Sequence, residues 1–263
     1  MIVALQPALG SWVTRPKPNP RAQFRLFCLP YAGSGASIFR TWPDKMPQGV
    51  EVCPIQLPGR ENRLREAPFT QLSSLVQELA RALLPYMDKP FAIFGHSMGA
   101  LICFELSRHL RRAYEIRPLH LFVSGACAPH VQDLAQPAYM LPDADFLAKL
   151  RCFNGLPEDV ADNVELMELL LPLLRADFTL CGTYVYSPEE PLDCSISAWG
   201  GNQDGEVLHE HLAAWRNHTQ LNFSLRTFPG NHLFIQSAQS LVMQALSLEL
   251  AGLLARATES YGS

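Results

Sequence analysis

The sequence predicts an α/β protein with a mostly parallel central sheet and helices on both faces. Two observations carry this. Short, wholly apolar runs that end in Gly or Pro alternate with longer stretches of helical periodicity. That is the pattern of strands buried on both faces and joined by crossover helices. One stretch, about 129–185, interrupts the alternation with helical patterns alone. It reads as an insertion, and an insertion over the carboxyl ends of the strands of an open sheet is a lid.

Taken in order, residues 1–22 read as a flexible, proline-rich tail. Pro16-Lys17-Pro18-Asn19-Pro20 cannot continue a helix or a ladder, because proline lacks the N–H. Residues 23–263 are expected to form one domain. FRLFCLP from Phe24 is a short buried strand, followed by the small-residue loop YAGSGAS, and EVCPIQLPG is a second strand. Leu72, Leu75, Val76, Leu79 and Leu83 fall at helical spacing. FAIFG (91–95) is a strand closed by glycine, MGALICFELSRHLRR (98–112) a helix, and LHLFVSG (119–125) another strand. Within the insertion, helices are expected from Asp143 to Leu150 and from Asn163 to Leu180, with Pro172 kinking or splitting the second. CSISAWGG (194–201) and NFSLRTFPG (222–230) are strands flanking a helix over 207–218. A last helix runs from about Leu233 to Ala255, and Gly262-Ser263 is a frayed end.

Composition excludes several classes. A chain of 263 residues can bury about 70–75% of its unfolded surface without a metal or disulfide staple. With 48% hydrophobic residues it is not intrinsically disordered. A formal charge of −4 and a pI near 6.1 argue against a nucleic-acid partner. The seven cysteines include no pair within four residues, so no CxxC-type zinc site is expected, and they read as buried reduced thiols. The start of the chain lacks a basic n-region, and no run of about 18 uninterrupted apolar residues occurs. The expectation is a cytoplasmic monomer without a membrane partner, metal or cofactor.

The strongest chemical signal is Gly95-His96-Ser97-Met98-Gly99, a G-x-S-x-G sequence between an apolar strand and a helix. That context makes it a nucleophile elbow of an α/β-hydrolase fold. A strand-to-helix turn this tight strains the backbone of the central residue, and flanking glycines remove side chains that would collide. Serine is a poor nucleophile without a base. The hydrolase order is Ser, then Asp or Glu, then His. Of the eight histidines, His209, His211 and His218 lie in a polar helical stretch and read as surface residues. His232 follows a strand and the turn Pro229-Gly230-Asn231, where this fold delivers its base. Asp204, just past the carboxyl end of strand CSISAWGG, is the chosen acid, with Glu206 as the alternative. Asp193 lies at the wrong end of that strand, and Asp177 reads as a structural partner of Arg175 or a cap. The oxyanion hole needs two backbone donors. These are assigned to Met98 and, in the loop Tyr31–Gly35, to Ala32. Gly33-Ser34-Gly35 lacks the Gly-Lys-Ser/Thr of a phosphate loop, and Gly95 and Gly99 have the wrong spacing for a dinucleotide fingerprint.

The segments LPYAGSGASIF (29–39), LPGRE (57–61), FGHSMGA (94–100), FELSRHL (104–110), LRADF (174–178) and GNHLF (230–234) together resemble the type II thioesterases. These are discrete enzymes that accompany polyketide synthases and nonribosomal peptide synthetases; the medium-chain fatty acid synthase thioesterases are similar. The resemblance spans about 24–250. It implies hydrolysis of acyl groups carried as thioesters on the phosphopantetheine arm of carrier proteins, an editing role, a helical lid, and no cofactor. It places the triad on Ser97, Asp204 and His232, and the oxyanion donors on Ala32 and Met98. One departure is Gly230-Asn231-His232, where the family often has Gly-Gly-His. Leu166, Met167, Leu169, Leu170, Leu171 and Leu173 of the lid could line an acyl chamber or only pack the lid onto the body. Arg60, Arg63 and Arg65, or Arg108, Arg111 and Arg112, could meet an acidic acyl or peptidyl carrier protein, or be solvated faces. An esterase of small oxygen esters and an inactive hydrolase fold used for binding are the competing readings.

Overall fold

A computed structural model describes residues 12–131, 138–152 and 164–261. Six strands form one sheet: β1 (Phe24–Leu29), β2 (Val50–Pro54), β3 (Phe91–His96), β4 (His120–Ser124), β5 (Ser195–Gly201) and β6 (Phe223–Phe228). Their order is β2-β1-β3-β4-β5-β6, and every neighbouring pair is parallel. All carboxyl ends therefore open on one edge. β1 to β4 are buried at every position, which is why they read as continuous apolar runs rather than alternating ones. β6, at the sheet edge, is half-exposed.

The helices are α1 (Leu72–Leu83), α2 (Met98–Tyr114), α3 (Asp143–Cys152), α4 (Val164–Gly182), α5 (His209–Ala213), α6 (Phe234–Ser237) and α7 (Gln239–Tyr261). One core lies between the sheet and α1 and α2, with Phe27, Ile93, Leu79, Ile102 and Leu106 at its centre. The other lies under α7, where Val242, Leu246 and Leu250 meet Phe24, Phe94, Phe122 and Trp199. Residues 239–257 of α7 are long and apolar enough, by length and composition alone, to cross a membrane; here that helix covers the sheet. Phe94 stands edge-on to Phe39, Trp42 and Trp199. Phe94→Ala should cost about 3–5 kcal/mol, transfer and cavity terms together, read as a shift of the urea midpoint at unchanged m-value.

Several expectations need correction. Pro172 does not split its helix, and α4 is continuous over 19 residues. The helix expected over 207–218 is one turn of α-helix followed by a 3₁₀ segment, Ala214–His218. The expected tail reaches too far. Trp12 and Val13 are buried, Val13 bridges Ile55, and the guanidinium of Arg63 lies over the Trp12 ring. Residues 1–11 of that tail lie outside the described residues, as do 132–137 and 153–163 of the insertion and the frayed end 262–263. Within the insertion, α3 and α4 pack on each other through Phe146, Leu150, Met167 and Leu174, a small core of their own. Cys28, Cys53, Cys103 and Cys194 are buried free thiols, whereas Cys127 and Cys181 are half-buried.

Candidate active site

The elbow forms at the carboxyl end of β3. Ser97 adopts φ 54°, ψ −118° between β3 and α2, a conformation L-residues rarely hold. Its own amide donates to the Ser124 carbonyl at 2.7 Å, tying the turn to β4. The flanking glycines make it possible. A Cβ on Gly95 would sit 2.2 Å from the Gly99 carbonyl oxygen, and one on Gly99 would sit 2.4 Å from that of Leu29.

Two further loops converge on Ser97. The loop after β5 and the turn after β6 are joined by backbone bonds, Asn202 N–H to the Phe228 carbonyl and Gln203 N–H to the Gly230 carbonyl. This brings Asp204 and His232 together. His232 Nδ1 lies 2.8 Å from Asp204 Oδ2, and His232 Nε2 lies 3.0 Å from Ser97 Oγ. A carboxylate only accepts, so Nδ1 carries the proton and Nε2 is left to accept the Ser97 hydroxyl. The other Asp204 oxygen accepts the amides of Glu206 (3.0 Å) and Val207 (3.2 Å). Burial pushes the Asp204 carboxyl up, but the His232 hydrogen bond and charge and those two amides outweigh it, and the group sits below its ordinary range. The alternative acid, Glu206, donates only its amide to this arrangement.

His96 is a site residue the sequence reading passed over. Its fully buried ring bridges Ser124 Oγ (2.9 Å) and the His232 carbonyl oxygen (2.9 Å). Burial, with the nearby His232 charge, holds its pKa well below the ordinary value. The neutral ring donates from Nε2 to the His232 carbonyl and accepts the Ser124 hydroxyl at Nδ1. The departure at Asn231 is accommodated without strain. The residues of this turn with positive φ include Gly230 but not Asn231, and Asn231 Oδ1 accepts the Leu233 amide.

A cavity of about 290 Å³ opens beside Ser97 and His232. Ala32 and Met98 line it, with Leu101, Leu150, Leu174 and Phe178 as apolar walls. The predicted lid residues Leu166, Met167, Leu170 and Leu173 are not among its lining, nor are Leu169 and Leu171. Helical periodicity turns them elsewhere: Met167 is buried in the α3–α4 core, and Leu169 faces solvent. Phe178 stands edge-on to Phe146, so Phe178→Ala should lengthen the chamber. The expected result is an increase of about tenfold in kcat/KM for a long acyl chain relative to acetyl, consistent with the modest worth of each methylene. A larger hollow of about 370 Å³ between α1, α2 and the end of α4 is polar, and its lining includes none of Ser97, Asp204 or His232.

The arginines are placed differently from expectation. Arg60 is buried and forms a two-pronged pair with Asp177, at 2.9 and 2.8 Å; Arg175 pairs instead with Asp143. Arg63 is buried against Glu66 and Trp12. Arg108 is buried between Glu105 and Glu189, which also meets Arg111 and Arg112. Of Arg60, Arg63 and Arg65, only Arg65 is exposed, so the first two cannot form a docking face. His218 is buried too, its Nε2 at 2.7 Å from His130 Nδ1, and His211 is half-buried beside Cys127.

Comparison with known proteins agrees with this geometry. A thioesterase-domain family matches residues 24–247. The chain is 46% identical to linear gramicidin dehydrogenase LgrE of Brevibacillus parabrevis, covering 92% of this chain and 94% of that one. It is 44% identical to the gramicidin S biosynthesis protein GrsT of Aneurinibacillus migulanus, covering 94% and 96%. RedJ, the thioesterase of the prodiginine biosynthetic pathway in Streptomyces coelicolor, superposes with a TM-score of 0.83 at 37% identity, covering 88% of this chain and 92% of RedJ. On these grounds the chain belongs to the thioesterase family.

Proposed function

We propose that this thioesterase releases acyl groups from the phosphopantetheine arm of acyl or peptidyl carrier proteins, as a type II editing enzyme of polyketide or nonribosomal peptide biosynthesis. The observation that carries the chemistry is the hydrogen-bonded series Ser97–His232–Asp204 at the mouth of an apolar cavity. His232 Nε2 takes the Ser97 proton as Oγ attacks the thioester carbonyl. The amides of Ala32 and Met98 receive the developing oxyanion. Met98 begins α2, so its N–H has no intrahelical partner and lies at the positive end of the helix. His232 then returns the proton to the departing pantetheine sulfur. The same imidazole activates water against the acyl-serine, and the acid product leaves.

The carrier reading is supported by the relatives named for gramicidin S and prodiginine biosynthesis. A cytoplasmic location follows from it, because carriers and their synthetases are worked on where they are made. The dehydrogenase name of the Brevibacillus parabrevis relative suggests a second chemistry, but the sequence after β1 does not favour it. Gly33-Ser34-Gly35 is followed at the third fingerprint position by Ile38, and by a 3₁₀ turn over Ala36–Phe39 rather than a dinucleotide-binding helix.

The test is release of free thiol from acetyl- and longer acyl-pantetheine, beside p-nitrophenyl esters of the same acids. Preference for thioesters supports the proposal. Preference for the oxygen esters moves the protein to the general esterases.

A further inference from the structure

Three motifs of the sequence, YAGSG, LPGRE and RADF, have no part in the triad. The structure brings them to one point behind the oxyanion loop. Ser34 N–H donates to the Tyr31 carbonyl at 3.1 Å, and Gly33 has φ +77°. Residues 31–34 are thus a β-turn with Ala32 and Gly33 at its centre, Gly33 in the position that favours glycine. Such a turn leaves the N–H groups of both central residues without a partner inside it. Asp177 of α4 takes one of them: Gly33 N–H donates to Asp177 Oδ2 at 2.8 Å. Arg60, which holds both Asp177 oxygens, also donates to the Ser34 carbonyl at 3.1 Å. Its own carbonyl accepts from Gln56 Nε2, and Gln56 Oε1 accepts the Ala36 amide. Leu174, one turn before Asp177, packs so tightly on the turn that a Cβ on Gly33 would lie 2.5 Å from it. Asp177 and Arg60 are both buried, at 1% and 4% exposure, and neither lines the cavity.

We infer that Asp177, gripped by Arg60, is a positioning residue for the oxyanion hole. By occupying the Gly33 amide it fixes the turn so that the Ala32 amide alone faces Ser97. This rests on the proposed role of Ala32. A second consequence concerns the insertion. The wall of the acyl chamber made by Leu174 and Phe178 is fastened to the oxyanion loop, so α4 around Asp177 is a fixed part of the catalytic scaffold and not a moving lid.

The test compares wild type with Asp177→Asn, which keeps shape but loses the charge, Asp177→Ala, and Arg60→Lys, which keeps charge but loses the fork. Asp143→Asn, which breaks the ion pair with Arg175 at another place on α4, is the control. Three readouts are used: the rate of Ser97 labelling by a fluorophosphonate, affinity for an alkyl trifluoromethyl ketone whose hemiketal oxyanion needs the hole, and affinity for a non-hydrolysable thioether of the same chain, which does not. A displaced donor should slow labelling and weaken the ketone about ten- to hundredfold, with thioether affinity and the Asp143→Asn variant within about threefold of wild type. Thermal unfolding identifies any variant that does not fold; Asp177→Ala, which leaves the Gly33 amide without its acceptor, decides where it folds, and Arg60→Lys decides where it does not. Labelling and ketone affinity unchanged in the deciding variant, or ketone and thioether weakened alike, would overturn the inference. Labelling requires no carrier or thioester, so failure here is distinct from failure of the carrier assignment.

Discussion

Ser97→Ala is expected to lower hydrolysis on the order of 10⁴–10⁶-fold, leaving only the acceleration supplied by binding and the oxyanion donors. The hydroxyl lies 3.0 Å from His232 Nε2, within reach of the base, and an alanine methyl cannot form the acyl-enzyme. The backbone should not respond. The conformation of residue 97 is imposed by its amide bond to Ser124 and by the glycines packed on either side, none of which involves Oγ. The variant should therefore keep the wild-type melting temperature and the affinity for a thioether analogue, and lose fluorophosphonate labelling altogether. Turnover above one tenth of wild type, in a preparation free of other esterases, would remove Ser97 from the mechanism.

Asp204→Asn should cost about 10⁴-fold at neutral pH, and the surrounding donors say why. The amides of Glu206 and Val207 both point at Asp204 Oδ1. An asparagine must present its oxygen to them, which turns its NH₂ toward His232 Nδ1. Nδ1 then has to accept, the ring proton moves to Nε2, and the imidazole faces Ser97 as a donor rather than a base. The loss should appear in kcat and kcat/KM with little change in stability, because both amides keep an acceptor. A loss under tenfold would transfer the acid's role elsewhere, and Glu206 is the nearest candidate by sequence.

What the sequence disclosed, and what it hid, divides along chain distance. The elbow was legible because strand, G-x-S-x-G and helix are contiguous, and their local sterics leave few conformations. Asp204 and His232 were legible because each follows a strand, and parallel strands deliver their ends to one edge. The Asp177–Arg60 pair was not, since its members are 117 positions apart and each has a local explanation, Asp177 beside Arg175 and Arg60 in a basic cluster. Arg63 was misread for the same reason: Trp12, which covers it, sits in a stretch whose prolines suggested a tail. The chamber wall was missed by one turn. Periodicity marks an apolar helix, but with Leu166, Met167, Leu169, Leu170, Leu171, Leu173 and Leu174 spread nearly all round α4, it cannot say which side faces the cavity. Pro172 is tolerated because it lies on the exposed side of a helix packed along its other faces.

The most direct test of the central claim is a single comparison at matched acyl chain. The rate of acid release from an acyl-phosphopantetheinyl carrier protein is measured beside that from the same acyl group on free pantetheine, with Ser97→Ala as control. The account predicts a higher kcat/KM for the carrier-borne thioester, lost in the variant. Equal or slower release from the carrier, with free thioesters turned over by Ser97, would leave a thioesterase but contradict the claim that carriers are its substrates.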